Sequence, residues 1–387
     1  MDLSRRSVIK AGALALLEQW CRRPGQALAF DHAARWNGPR VVVLMVGGVR
    51  RSETFSPEGL VHIPHLSNEL LSQAAFFPWV RNAGVTSHYN TIASVLTGTW
   101  QRVDDWGRMP PENPTIFEYA RKETGLDAPG AWFISSNKAL SDRIGASSVR
   151  GFGPSWGANV VFPKQLLIDS VLNAVAHGRT AHTGTGAGMG PEIDAMLAAD
   201  NYEGLGWSVG GNRSFLDSST RESVARAVDN LVSSHTPVTG DEFTFLVARE
   251  ILRTFAPPLL VMTFSDVEVA HFGSWSLHLA GIRTLDRLVS ELWNEIESNT
   301  VYRGSTTLFV LPEFGRDLDG SVTNGFFNHR LDNDSTRTTW MLCLGPGVAP
   351  GVVERPVQHI DICPTVAGLL GLKVPKLPGS AIAEIRT

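Results

Sequence analysis

The sequence predicts an α/β fold in which buried strands alternate with helices around one sheet, and two observations carry that expectation. Six apolar runs, at residues 41–50 (VVVLMVGGVR), 85–98 (VTSHYNTIASVLTG), 131–137 (AWFISSN), 259–271 (LLVMTFSDVEVAH), 306–317 (TTLFVLPEFGRD) and 359–371 (HIDICPTVAGLLG), each stop at a short polar cluster. Segments with helical spacing lie between them. Continuous Val/Leu/Phe runs are what strands look like when a parallel sheet is covered on both faces. In such sheets ligands bind outside the carboxyl ends of the strands, so chemistry is expected at the polar clusters.

The elements follow in order. Residues 4–10 (SRRSVIK) precede the apolar 11–17 (AGALALL), and Ala27-Leu28-Ala29 has the small-x-small form of a processing site. Arginine pair, apolar stretch and cleavage site in that order read as a twin-arginine export signal over 1–29, with a single domain over 30–387. Residues 63–73 show helical spacing. Residues 114–125 open on proline and close on glycine, the expected start and stop of a helix. From about 150 to 242 the pattern blurs into Gly, Ser and Asn, which reads as a cap-like insertion beside the sheet. Its GTGAGMG stretch (184–190) lacks the preceding strand and the Lys-Ser/Thr pair of a phosphate loop, so it reads as a loop. Residues 276–298 place Leu277, Ile282, Leu285, Leu288, Val289 and Leu292 on one stripe, a long helix packed on the sheet. Asp361 is placed to cap a last short helix that ends at Gly371.

Composition narrows the function. A net charge of −4 over 387 residues offers no field to hold nucleic acid. No segment after the signal approaches the roughly 18 uninterrupted apolar residues of a membrane span, so the expected product is periplasmic or secreted, without a stable span. Cys21 falls in the signal. Cys343 and Cys363 sit in apolar contexts, and an oxidising periplasm leaves a bridge between them open.

The leading metal candidates are Asp266 and His271, because a carboxylate and an imidazole on one strand-end loop suit a shared divalent cation. Glu268 lies between them as a reserve ligand. An Asp capping a turn beside a hydrogen-bonded His is the structural alternative. In EFGRD (313–317), Glu313 is a further candidate ligand and Arg316 a clamp for an anionic oxygen, unless the two simply pair. His329 is a later imidazole whose weight comes from its order along the chain. A serine hydrolase is disfavoured, since no G-x-S-x-G joins a strand to a helix.

The succession of strand-end GGVR, SHYNTIASVLTG, PTIFEYARKETG before AWFISSN, D-x4-H ahead of a long helix, EFGRD, a later His and DICPTVAGLLG resembles the alkaline phosphatase superfamily. That superfamily includes sulfatases, phosphodiesterases and cofactor-independent phosphoglycerate mutases. GGVRRSETFSPEG (47–59) is most similar to a twin-arginine-exported branch of it. The resemblance implies a mixed, mainly parallel sheet between helices and a site for one or two metals: zinc foremost, with calcium, magnesium or manganese as alternatives. The family's first strand ends on a metal-binding Asp; here that position is Gly47, with Glu53 the nearest acid. Its nucleophile position falls on His88, with Thr86, Ser87 and Thr91 close by. Its Asp-x3-His appears as Asp266-x4-His271, its later Asp-His pair as Glu313-Phe314, and its last ligand as His329.

Two readings follow. The first is an exported hydrolase of small anionic phosphate or sulfate esters, retaining one metal position from Asp266, His271 and His329. In it Ser87 or His88 attacks, or His88 serves as base, and Arg50 or Arg316 holds the anion. The second is a binding or scaffold protein that keeps the fold without turnover, which the exchanges at Gly47, His88 and Phe314 favour. Its partners would be such an ester and, before processing, the twin-arginine export machinery.

Overall fold

The computed structural model describes residues 36–102, 108–164 and 239–386. The expected export signal over 1–29 and most of the expected insertion, with its glycine-rich stretch, lie outside the described residues. Strands β1 (Arg40–Val46), β2 (Ala75–Arg81), β3 (Ala131–Ser135), β4 (Asn159–Val161), β5 (Leu259–Phe264), β6 (Thr306–Pro312), β7 (Thr338–Leu344), β8 (Gly351–Val352) and β9 (Val357–Gln358) form one sheet. Its order is β4-β3-β5-β1-β6-β7-β2-β8, with β9 also paired to β2. The block from β4 to β6 is parallel, whereas β7 runs antiparallel to both β6 and β2. The sheet is therefore mixed and mainly parallel.

Helices cover both faces. Along β1, Val42, Leu44 and Val46 pack into one core with α3 (Gly240–Phe255) and α4 (Trp275–Ser298). Val41, Val43 and Met45 enter the other with α1 (His88–Thr97), α2 (Ile116–Thr124) and α6 (Ile362–Leu369). Alternation along a strand covered on both sides explains why β1 reads as an unbroken apolar run. Helix α2 is started by a capping box between Thr115 and Glu118 and stopped by Gly125 in the left-handed conformation. One short helical turn, α5 (Asp334–Arg337), leads into β7.

Several expectations are corrected here. The run at 85–98 forms α1 rather than a strand, because an apolar run alone does not distinguish a buried strand from a buried helix, whereas the last short helix stands where it was expected, as α6 with Asp361 at its N-cap. Residues 63–73 form irregular 3₁₀ and π turns instead of a regular helix. Leu277, expected on the buried stripe of α4, is exposed, and His278 takes the inward place. Cys343 on β7 and Cys363 on α6 are buried free thiols with no bridge. No helix among the described residues is long and apolar enough to cross a membrane.

The register is what positions the site. Val46 lies level with Phe264 of β5 on one side and Pro312 of β6 on the other, so three adjacent parallel strands end side by side. Gly47 N–H donates to the Phe264 carbonyl at 2.9 Å, and Glu313 N–H donates to the Val46 carbonyl at 2.8 Å.

Candidate metal centre

Four side chains meet at these level strand ends. Single donor atoms of His88, Glu268, His271 and His329 all lie within 4.8 Å of one another, and among the described residues this is the one such group of histidines and acids. Glu268 and His271 come from a 3₁₀ helix, Asp266–Phe272, that follows β5. With three residues per turn, positions 268 and 271 stand on one face and 266 does not. His88 opens α1, and His329 arrives on a loop after β6.

That loop is anchored at both ends. Asp317 accepts from Thr336 Oγ1 at 2.7 Å and from the backbone of Arg330 and Leu331 at 3.2 and 2.9 Å. Burial works to raise the Asp317 carboxyl, but these donors, with the Thr323 hydroxyl, hold it below the ordinary carboxylate range. Thr86 Oγ1 donates to the His329 carbonyl at 2.8 Å, and His329 Nδ1 donates back to the Thr86 carbonyl at 2.8 Å. Because its Nδ1 faces an acceptor, His329 presents a bare Nε2 to the cluster. Burial, then the neighbouring His88, keeps this imidazole neutral, well below the usual histidine range.

His88 is oriented in the same way. Its Nδ1 donates to Glu313 Oε2 at 2.7 Å, which turns Nε2 toward the other donors. There Nε2 lies 3.4 Å from Glu268 Oε2, buried and without an aligned hydrogen bond. Burial opposes charge on His88, yet Glu268 and Glu313 outweigh it and raise the group well above the usual histidine range. Glu268 itself is held well below the carboxylate range: burial would raise it, but Arg316, His88 and His271 more than compensate.

The donor set fits a cation. Atoms bound to zinc at 2.0–2.1 Å in a tetrahedron stand about 3.3 Å apart. Here His271 Nε2 is 3.1 Å from Glu268 Oε2, His329 Nε2 is 3.2 Å from His271 Nε2, and His88 Nε2 is 3.4 Å from Glu268 Oε2. The orphaned Nε2 of His88 is aimed into the same space. A histidine whose other nitrogen donates to a carboxylate is the usual form of a metal-binding imidazole.

Glu268 occupies its place through three contacts. Gly48 N–H donates to Oε1 at 2.6 Å, and Arg316 Nη2 and His271 Nε2 approach Oε2 at 2.7 and 3.1 Å. Arg316 is fully enclosed and also donates to the carbonyls of Gly48, Phe326 and Val267 at 2.7, 3.2 and 3.4 Å. Phe314 packs against His329 and His88, with ring centroids 4.2 and 5.0 Å apart.

Of the residues expected in the site, His88, His271 and His329 converge, with Glu268 from reserve. Asp266 is corrected: it accepts from Asp241 N–H at 3.0 Å while Asp241 accepts from the Ser265 and Asp266 backbone, so the two acids bracket the start of α3. Glu313 is corrected from ligand to the partner that orients His88. Neither arginine is presented to a substrate anion. Arg316 is spent on Glu268 and carbonyls; Arg50 is buried and held by Glu53 at 2.6 Å, Asp319 at 2.9 Å and the Asp317 carbonyl at 3.2 Å. Glu53 does not replace the first-strand acid, since it is paired with Arg50 and with buried His278 at 3.1 Å. Thr91 is buried, its hydroxyl held between Asn82 Nδ2 and the Val85 carbonyl at 2.8 and 3.3 Å. Ser87 remains half-buried at the start of α1, accepting from Asn90 Nδ2 at 3.0 Å. The signal that would have raised Glu268 from reserve is its E-x-x-H spacing with His271, a one-face pattern in any helical turn.

No family model and no curated protein matches the sequence. Solved structures do match in fold. The alkaline phosphatase PafA aligns over 91% of this chain and 100% of its own, at 13% identity and a TM-score of 0.54. A phosphonate monoester hydrolase of Agrobacterium radiobacter aligns over 90% of this chain and 77% of its own, at 14% identity and 0.55. A protein in the alkaline phosphatase superfamily from Vibrio parahaemolyticus aligns over 96% and 77%, at 12% identity and 0.50. The chain therefore has the alkaline phosphatase-like α/β fold.

Proposed function

We propose that this chain is an exported, single-metal hydrolase of phosphate or sulfate esters, with His88, Glu268, His271 and His329 as the ligands. The observation that carries the proposal is the convergence of those four donors at the level ends of β5, β1 and β6. The fold it shares with a phosphatase and a phosphonate monoester hydrolase supports the same chemistry. Three imidazoles and one carboxylate suit zinc better than calcium or magnesium, which favour all-oxygen shells. When bound, such a cation would stabilise negative charge on an ester oxygen on condition that the oxygen displaces one of the four ligands or adds to them, because catalytic zinc needs an open position.

The chain's own groups divide the remaining work. Glu313 fixes the His88 tautomer, Thr86 fixes that of His329, and Arg316 holds Glu268. The amino end of α1 begins at the cluster, and the positive end of the helix dipole favours an anionic oxygen there. Ser87, the half-buried hydroxyl adjoining His88, is the attacking group in this reading. Export by the twin-arginine machinery would deliver the protein folded and loaded to the periplasm.

The test is elemental analysis of residues 30–387 together with turnover of nitrophenyl phosphate mono- and diesters and sulfate esters, repeated on His271→Ala and Ser87→Ala. One equivalent of metal and an activity lost in both variants is expected. Absence of stoichiometric metal would defeat the proposal. One specific observation favours a non-catalytic metal protein: His88 fills the position where the resemblance expects a nucleophile and is itself locked to Glu313. Bound metal without turnover on every ester would select that reading.

A further inference from the structure

We infer that Gly47 and Glu268 are an exchanged pair: the carboxylate of the metal centre can be supplied from the end of β1 or from the turn after β5, and Gly47 is glycine so that Glu268 can supply it. This rests on the metal reading above and goes beyond it, by assigning a role to a residue without a side chain.

The geometry is specific. A Cβ placed on Gly47 would lie 2.0 Å from Glu268 Oε1, 2.8 Å from its Cδ and 3.0 Å from its Cγ. No non-bonded atoms tolerate the first two distances, so any side chain at 47 must evict the Glu268 carboxylate. Backbone conformation does not explain the glycine, because Gly47 is absent from the described glycines with positive φ. Its N–H is held in sheet register by the Phe264 carbonyl. An L-residue could therefore stand there without strain if Glu268 were gone. The space at the end of β1 is thus filled by a carboxylate that arrives from β5, and an aspartate side chain starting at 47 would begin where that carboxylate now ends. The donors that receive it, Gly48 N–H and Arg316, belong to neither residue and remain for either source.

The experiment compares wild type, Glu268→Ala, Gly47→Asp and the double variant Gly47→Asp/Glu268→Ala in the 30–387 chain. Zinc affinity is read by chelator competition, and the ligand field by the visible spectrum of the cobalt-substituted protein. Glu268→Ala is expected to weaken zinc by about 100-fold or more, since even partners of ligands are worth 10–100-fold. Gly47→Asp alone should be impaired through the clash. The double variant should return to within about 10-fold of wild type, with a cobalt spectrum that again shows four ligands. A folded double variant that binds no better than Glu268→Ala overturns the exchange while leaving the wild-type metal reading standing. Wild type that binds no zinc overturns both.

Should the double variant fail to fold, a stability cycle decides. Gly47→Ala is expected to lower the thermal midpoint of wild type by about 4 °C or more and to shift Glu268→Ala by less than about 2 °C. Equal loss in both backgrounds overturns the inference.

Discussion

Replacing Arg316 by methionine separates two roles that the residue could have, and its consequence can be worked from the contacts. As a substrate clamp, Arg316 would be dispensable for folding and its loss would raise KM. The structure instead encloses the guanidinium completely and points it at Glu268 and three carbonyls. Removing one partner of a buried ion pair typically costs about 3–5 kcal/mol, because the other charge is left uncompensated. The orphaned carbonyls add to that cost unless the chain relaxes. For a domain of this size such a loss lowers the thermal midpoint by about 4–7 °C. The assay is thermal and denaturant unfolding of metal-free Arg316→Met beside wild type. Saturating zinc should narrow the deficit, since a cation beside Glu268 replaces part of the lost charge. Arg316→Lys, which keeps charge but not the planar fork, should fall between. A variant that unfolds within about 1 kcal/mol of wild type would refute the reasoning, above all if KM alone has risen.

Two further outcomes are expected. Glu313→Gln keeps the shape beside His88 but removes the charge that holds Nδ1–H, so zinc affinity should fall about 10–100-fold with little change in fold; unchanged affinity in a chelator titration would detach Glu313 from the centre. Asp266→Asn tests the bracket at the start of α3. Burial, and for Asp241 the facing Asp266, raise both carboxyls above their ordinary value, so the folded state holds protons that the unfolded chain releases. The stability linked to these groups is complete below about pH 4 and is lost as pH rises through the raised values. Wild type should therefore lose stability relative to Asp266→Asn as pH rises above about 4, and a difference that stays flat from there to neutrality would contradict the assignment.

Much of the fold is legible in the chain because buried parallel strands need unbroken apolar runs; β1, β3, β5 and β6 stand where such runs lie. Five strands escaped that reading: β2 carries Pro78 and a register shift between Phe77 and Val80, β4 spans three residues and β8 and β9 two each, and β7 is apolar only from Trp340 to Leu344 behind two threonines. The run that became α1 shows the limit of the signal, since full burial erases the difference between a period of 2 and one of 3.6.

By itself the sequence determined that polar clusters would fall at strand ends and that His88, His271 and His329 were chemistry-bearing residues of interest. Only tertiary structure decided which donors meet. Level ends of β5, β1 and β6 brought together residues more than two hundred positions apart, and a 3₁₀ turn chose Glu268 over Asp266 by rotating one toward the cluster and the other toward α3. The vacancy left by Gly47 is visible in the sequence only as a missing acid; that the Glu268 carboxylate, from the 3₁₀ turn after β5, lies against it follows from packing, which no spacing along one chain encodes.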